Sequence, residues 1–167
     1  MRLFRRIFDA GGYIAGGFIR RIVRDRNIID VRRYVRDGGD IDVFVPNIDA
    51  CNAVLALESG WKRTIGNNAW TTWHNIGRTE HDLYDVIGEQ NIQIQVIDKL
   101  FASPVEMLGS FDMTNCGFAM DASTFWCDPR AIELEDARTL EARFSGDLLG
   151  SRVLKYFMKH RYDRLTP

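Results

Sequence analysis

The chain has 167 residues, 46% hydrophobic and 27% charged, with a formal net charge of −1. This balance excludes a disordered polymer and sets the scale at one globular domain, 1–167, with one core and little room for a second. No run approaches the roughly 20 apolar residues that cross a bilayer, so no membrane partner is expected. The arginine-rich, glycine-containing start is not built like a cleavable signal, and 1–8 reads as a plain first helix packing on the domain.

Charge is uneven. Through Arg36 there are ten arginines against three aspartates, and the tail is basic again with Arg152, Lys155, Lys159, Arg161 and Arg164. Such ends suit phosphates or single-stranded RNA, or are solvated helix faces; sequence leaves both open. Cys51, Cys116 and Cys127 lack zinc-ligand or CxxC spacing and are expected to be reduced and mostly buried, in a cytoplasmic setting.

In chain order, 12–14 enters a strand, Gly16-Gly17 forms a tight turn and 18–24 begins a helix; 30–36 adds a helical turn. Residues 41–45 are rich in β-branched side chains and form a strand that Pro46 ends. Asn47 or Asp49 caps a helix through Cys51, Val54 and Leu57 that stops at Gly60. Strands follow at 70–76 and 91–97, the second with Ile92, Ile94 and Val96 alternating against Gln93 and Gln95. Ser103-Pro104-Val105-Glu106 is a helix start with cap, proline at the first position and a returning glutamate. A strand at 113–120 and helices at 129–141 and 147–160 complete an α/β (α+β) domain, a mixed β-sheet flanked by helices.

The chemistry centres on Gly38-Gly39-Asp40-Ile41-Asp42-Val43-Phe44-Val45. Side chains alternate along a strand, so Asp40 and Asp42 share one face while Ile41, Val43 and Val45 enter the core. Adjacent carboxylates repel unless a cation or shared proton relieves them, which suits Mg2+ or Mn2+ with oxygen ligands. Alone, the pair also reads as edge-strand acids that discourage sheet extension. Upstream, Tyr13-Ile14-Ala15-Gly16-Gly17-Phe18-Ile19-Arg20 places glycines between strand and helix, where the backbone can approach a phosphate. Arg20 adds a guanidinium fork for the same group.

Together these segments resemble the nucleotidyltransferase superfamily of DNA polymerase beta and the tRNA CCA-adding and poly(A) polymerases, in particular the head domain of the CCA-adding enzymes. There the arginine is commonly followed by aspartate; this chain has Arg21. The resemblance implies a nucleotidyltransferase fold, divalent metal, a nucleoside triphosphate, and a third carboxylate on a neighbouring strand. Asp112, in Phe111-Asp112-Met113-Thr114-Asn115, is the choice for that third metal ligand or nucleotide contact, and Asp98 is the reserve. Arg152 and Lys155, within a basic segment similar to that of small phage-encoded members, are expected to contact the nucleotide.

Weaker candidates are His74 and His81, without a third zinc ligand; Trp61, Trp70 and Trp73, more plausible as core than as base-stacking groups; and Asn68 and Thr71, polar beside the aromatic segment. The implied activity is transfer of a nucleoside monophosphate to an acceptor hydroxyl of an RNA, protein or small molecule, with release of pyrophosphate. The alternatives are an inactive interaction or virion protein of the same fold, and a metal-dependent phosphohydrolase.

Overall fold

A computed structural model describes residues 2–25, 34, 39–64, 69–75, 91–143 and 147–166. Apart from Tyr34, the helical turn expected over 30–36 lies outside the described residues, as do Gly38, Asn68, Ile76 and His81; Trp73 and His74 are described only as strand positions.

The chain opens with α1 (Arg2–Asp9), β1 (Tyr13–Ala15), α2 (Gly17–Asp25), β2 (Asp40–Val45) and α3 (Ile48–Leu55). Three strands follow, β3 (Lys62–Thr64), β4 (Ala69–Asn75) and β5 (Asn91–Leu100), then α4 (Pro104–Gly109). The remainder is a 3-10 turn (Thr114–Cys116), β6 (Phe118–Met120), β7 (Phe125–Cys127), α5 (Pro129–Asp136), β8 (Thr139–Glu141), α6 (Asp147–His160) and β9 (Arg164–Thr166).

Seven strands form one mixed sheet in the order β3-β4-β5-β2-β1-β6-β7. The β2–β5 pair is parallel and the other pairs are antiparallel. β8 and β9 form a separate parallel pair. One face carries the main core: Ile14, Ile41, Val43, Ile94 and Val96 lie under Phe18 and Ile19 of α2 and Val54 of α3. Fully burying each such aliphatic side chain contributes about 1.5–3 kcal/mol, which fixes the register of β2 and thereby the direction of its aspartates. On the other face Phe44, Phe101, Met107 and Leu108 pack together, and α4 covers that end of the sheet.

The caps match the sequence pattern. Asn47 Oδ1 accepts from Ala50 N at 2.9 Å, and Ser103 Oγ accepts from Glu106 N at 3.2 Å. Glu106 reaches back to Ala102 N at 2.9 Å, one residue before the cap itself. Two elements differ from expectation. The strand expected at 113–120 is reduced to Phe118–Met120, because Asn115 bonds inward: its Nδ2 donates to Glu135 Oε1 and Thr139 O, each at 2.9 Å, and its Oδ1 accepts from Glu141 N. Such side-chain bonds compete with a strand ladder. The helix expected at 129–141 ends at Asp136, and Arg138, at φ 50°, turns the chain into β8.

Candidate active site

β2 runs between β1 and β5, with Asp42 opposite Ala15 on one side and Gln95 on the other. Ile41 and Val43 are fully buried beneath it, so Asp40 and Asp42 stand on the opposite face. They open into a cleft of about 650 Å³. Gly16 and Gly17 line it beside them, and Asp112, Arg152, Lys155 and Tyr156 also contribute to its lining. Gly16, Gly17, Asp40, Asp42, Asp112, Arg152 and Lys155 therefore line one cavity, whereas Arg20 and the reserve carboxylate Asp98 do not line it.

The glycine turn is locked to the sheet. Gly16 has φ 75°, its N–H donates to Phe118 O at 3.0 Å, and a Cβ there would lie 3.4 Å from Asp42 Oδ2. A residue free of the left-handed penalty lets the turn sit this close to the carboxylate. Gly39 serves differently: a Cβ would fall 2.3 Å from the Tyr34 ring, whose hydroxyl donates to Asp40 O at 2.8 Å. Tyr34 thus supports the first residue of the carboxylate strand from beneath.

Burial, followed by the neighbouring charge of Asp40, pushes the Asp42 carboxyl up to about 7, with Arg152 acting in the opposite direction. Asp40 Oδ2 accepts from Gln95 Nε2 at 3.2 Å. A half-buried acid beside another acid is electrostatically deficient in positive charge. The donor set of carboxylate oxygens fits a hard divalent ion, and Asp40 and Asp42 are the residues that would hold it.

Asp112 lines the same cleft, but its Oδ2 is engaged by Arg152 Nη1 at 3.0 Å. Among the described residues no three His, Cys, Asp or Glu side chains converge as a metal-ligand group. Asp98 does not line the cleft; it pairs with Arg63 at 2.6 Å. Asp121 bonds the Ser123 and Thr124 amides and shapes its own turn.

Arg20 does not line the large cleft but lines a smaller recess beside it. It is 1% exposed, donates to the Tyr162 hydroxyl at 2.6 Å and lies 3.6 Å from Glu135 Oε1. Tyr162 in turn bonds Glu135, which Asn115 also contacts. The guanidinium therefore joins α2 to α5 and to the segment after α6. That recess, of about 80 Å³, shares Gly17, Asp40, Lys155 and Tyr156 with the cleft and is lined by Arg20, Arg21 and Lys159 as well. Burial, then Arg20 and Lys159, push His160 there down to about 3, leaving it neutral.

Trp61 bonds Leu55 O from its indole, Trp70 packs on the main core, and Thr71 is buried on β4. None of these three lines the cleft. Sequence reading missed Gln95 and Tyr34. Gln95 had a signal, since it occupies the polar phase of the β5 alternation.

A mixed sheet bearing a glycine turn, a carboxylate strand beside it and flanking helices is the nucleotidyltransferase fold. Solved structures agree: a Bacillus stearothermophilus CCA-adding enzyme in complex with CTP matches at TM-score 0.63 and 17% identity, over 99% of this chain and 40% of that one. A Thermotoga maritima CCA-adding enzyme complexed with tRNA matches at TM-score 0.61 and 15% identity, over 99% and 39%. A CCA-adding enzyme in complex with ATP gives 0.60 and 15%, again over 99% and 39%. The chain thus spans about two-fifths of the length of these enzymes. The chain belongs to the Gabija anti-defense 2 family, whose model matches residues 2–138. No curated protein matches its sequence. Among the described residues no helix is long and apolar enough to cross a membrane.

Proposed function

We propose that this chain is the catalytic domain of a metal-dependent nucleotidyltransferase. The observation that carries the reading is the placement of Asp40 and Asp42 on one face of β2, in a cleft walled by the Gly16-Gly17 turn. Mg2+ or Mn2+ held by these carboxylates supplies Lewis acidity toward the acceptor hydroxyl and the phosphates. The protein's own part is alignment: the glycine turn admits the triphosphate against backbone, and Lys155 and Arg152 offset its charge from α6. The acceptor oxygen forms a bond to the α-phosphorus, the bond from that phosphorus to the bridging oxygen breaks, pyrophosphate departs with the electron pair, and the hydroxyl proton leaves to solvent or a nearby base.

In this reading Asp112 stands on the acceptor side of the cleft and Arg20 is a positioning residue, acting through Tyr162 and Glu135 rather than on phosphate. The family's name makes a component of a Gabija defence system a direct candidate acceptor. RNA is the second candidate, since one structural neighbour is a tRNA complex. The test is incubation of the purified chain with each α-labelled nucleoside triphosphate, magnesium or manganese, and separate RNA and protein acceptor pools. Covalent label on an acceptor, lost in Asp42→Asn, supports transfer; free nucleoside monophosphate alone points to a hydrolase.

A second reading, an interaction protein that keeps the fold without catalysis, is favoured by the engagement of Asp112 with Arg152. It predicts partner binding with no metal-dependent triphosphate binding.

A further inference from the structure

The cleft has two unlike ends. Along β2 the side chains of Asp40, Asp42 and Phe44 follow one another on one face, each about 6.6 Å from the last. The small recess shares Asp40 with the cleft but neither Asp42 nor Phe44, so it adjoins the Asp40 end, and its lining there is basic, with Arg21, Lys155 and Lys159. On the parallel strand β5, Gln95 stands opposite Asp42, and Ile97 and Lys99 lie further along in the direction of Phe44. Past Asp42 the lining therefore turns apolar: Phe44, Ile97, Phe101 and Phe111, with Lys99 and Ser110 as the polar side chains.

This aromatic end is firmly built. Phe44 packs against Phe111, with ring centroids 5.4 Å apart and tilted by 45°, and against Phe101, at 6.0 Å and 58°. Phe44 and Phe101 are buried and backed by Met107 and Leu108 of α4, while Phe111 and Ile97 are half-buried where they line the cleft. Lys99 is exposed, with Nζ 4.8 Å from the Phe101 ring centroid. Holding metal and triphosphate uses none of these side chains.

An in-line displacement puts the entering oxygen and the departing pyrophosphate on opposite sides of the α-phosphorus. With the cation at Asp40 and Asp42 and the outer phosphates toward the basic end, the entering hydroxyl comes from the Phe44 end. A ribose there would set its second hydroxyl and its phosphates against phenyl rings, and polar groups buried without partners are costly. A phenol fits, because a flat apolar ring carries one hydroxyl at its tip and rings favour the tilted packing that the three phenylalanines already show.

We propose that the Phe44, Phe101 and Phe111 end of the cleft is the acceptor subsite, and that it takes a tyrosine side chain of a protein flanked by acidic residues that Lys99 receives. The inference rests on the transferase reading above and names the acceptor class for it. The phenolic oxygen bonds to the α-phosphorus, the bond from that phosphorus to the bridging oxygen breaks, pyrophosphate leaves with the electron pair, and the phenolic proton passes to solvent. The product is a phosphodiester joining tyrosine to the nucleoside monophosphate.

The test incubates the full chain with Mg2+ and α-labelled nucleoside triphosphates, and separately with a glutamate–tyrosine copolymer, a lysine–tyrosine copolymer, and single-stranded RNA with a free 3′ hydroxyl. Mass analysis is expected to find the nucleoside monophosphate on tyrosine, with the acidic copolymer labelled faster than the basic one. Phe111→Ala slows that labelling roughly two- to tenfold, the range of one aromatic contact, and leaves triphosphate binding within about twofold. Lys99→Glu, at an exposed position that keeps its measurement independent of Phe111, reverses the preference between the two copolymers. Absence of label on tyrosine overturns the proposal whatever the RNA shows, and so does a Phe111→Ala variant that loses triphosphate binding as much as labelling, which would make this end the seat of the base. Label on RNA alone leaves the transferase reading in place, whereas absence of metal-dependent triphosphate binding would remove that reading itself.

Discussion

Arg20 Nη1 donates to the Tyr162 hydroxyl at 2.6 Å, joining the helix behind the glycine turn to a segment 142 residues further along the chain. With Glu135 it forms a buried charged network under the cleft. Removing one member leaves an uncompensated charge, which costs about 3–5 kcal/mol. Arg20→Met is therefore expected to lower unfolding free energy by that order, measured by urea denaturation. Arg20→Met combined with Glu135→Met recovers most of the loss.

Asp42 gives a pH prediction with a definite sign. Its folded value near 7 lies above the ordinary 3.8, so its contribution to the stability of the metal-free protein is fully present below pH about 4 and is lost as pH rises through about 7. Metal-free Asp42→Asn is expected to melt a few degrees higher than wild type at pH 8, with the difference closing toward pH 4. Calorimetry at matched ionic strength measures it.

The same group couples cation binding to proton release. Below pH about 7 a cation must displace the Asp42 proton. Mn2+ affinity is expected to rise as pH is raised from about 5.5 and to level off above about 7.5, as the carboxyl loses its proton near 7. Titration calorimetry in buffers of different ionisation enthalpy counts the released proton.

The glycines separate two kinds of constraint. Gly16→Ala meets a left-handed backbone at φ 75° and the Asp42 carboxylate, and is expected to cost about 1 kcal/mol while weakening triphosphate binding. Gly39→Ala meets the Tyr34 ring and costs about 1–3 kcal/mol by overpacking. Tyr34→Ala in the same chain relieves the Gly39 variant and leaves the Gly16 variant unchanged.

Lys155 lines both the cleft and the recess beside it. Lys155→Gln is expected to weaken binding of a nucleoside triphosphate about five- to tenfold and of the monophosphate little, since a hydrogen-bonded charge on phosphate is worth roughly 1–1.5 kcal/mol. Equilibrium dialysis against the two ligands measures the difference.

Much of the cleft was legible in sequence because local periodicity carries it. In β2 the alternation of acids with Ile41 and Val43 gives both burial and direction, and in β5 the same period places Gln95 beside Asp42. The glycine turn was legible for a similar reason, as its conformational demand is local. Contacts decided at long range were not. Nothing near Arg20 in the chain foretells Glu135 and Tyr162, so a guanidinium expected at phosphate turned out to be buried. Asp112 lines the same cavity as Asp40 and Asp42, but its pairing with Arg152 depends on how α6 docks. Asn115 redirected an expected strand through bonds to residues 20–26 positions later. The strands β3, β7, β8 and β9, three residues each, are too short to establish a period.

The most direct measurement is a crystal of the chain grown with Mn2+ and a non-hydrolysable nucleoside triphosphate, with manganese located by anomalous scattering. The account predicts a peak within ligand distance of both Asp40 and Asp42, with the phosphates against the Gly16-Gly17 turn. Manganese bound away from that pair, or a triphosphate seated elsewhere on the chain, would contradict it.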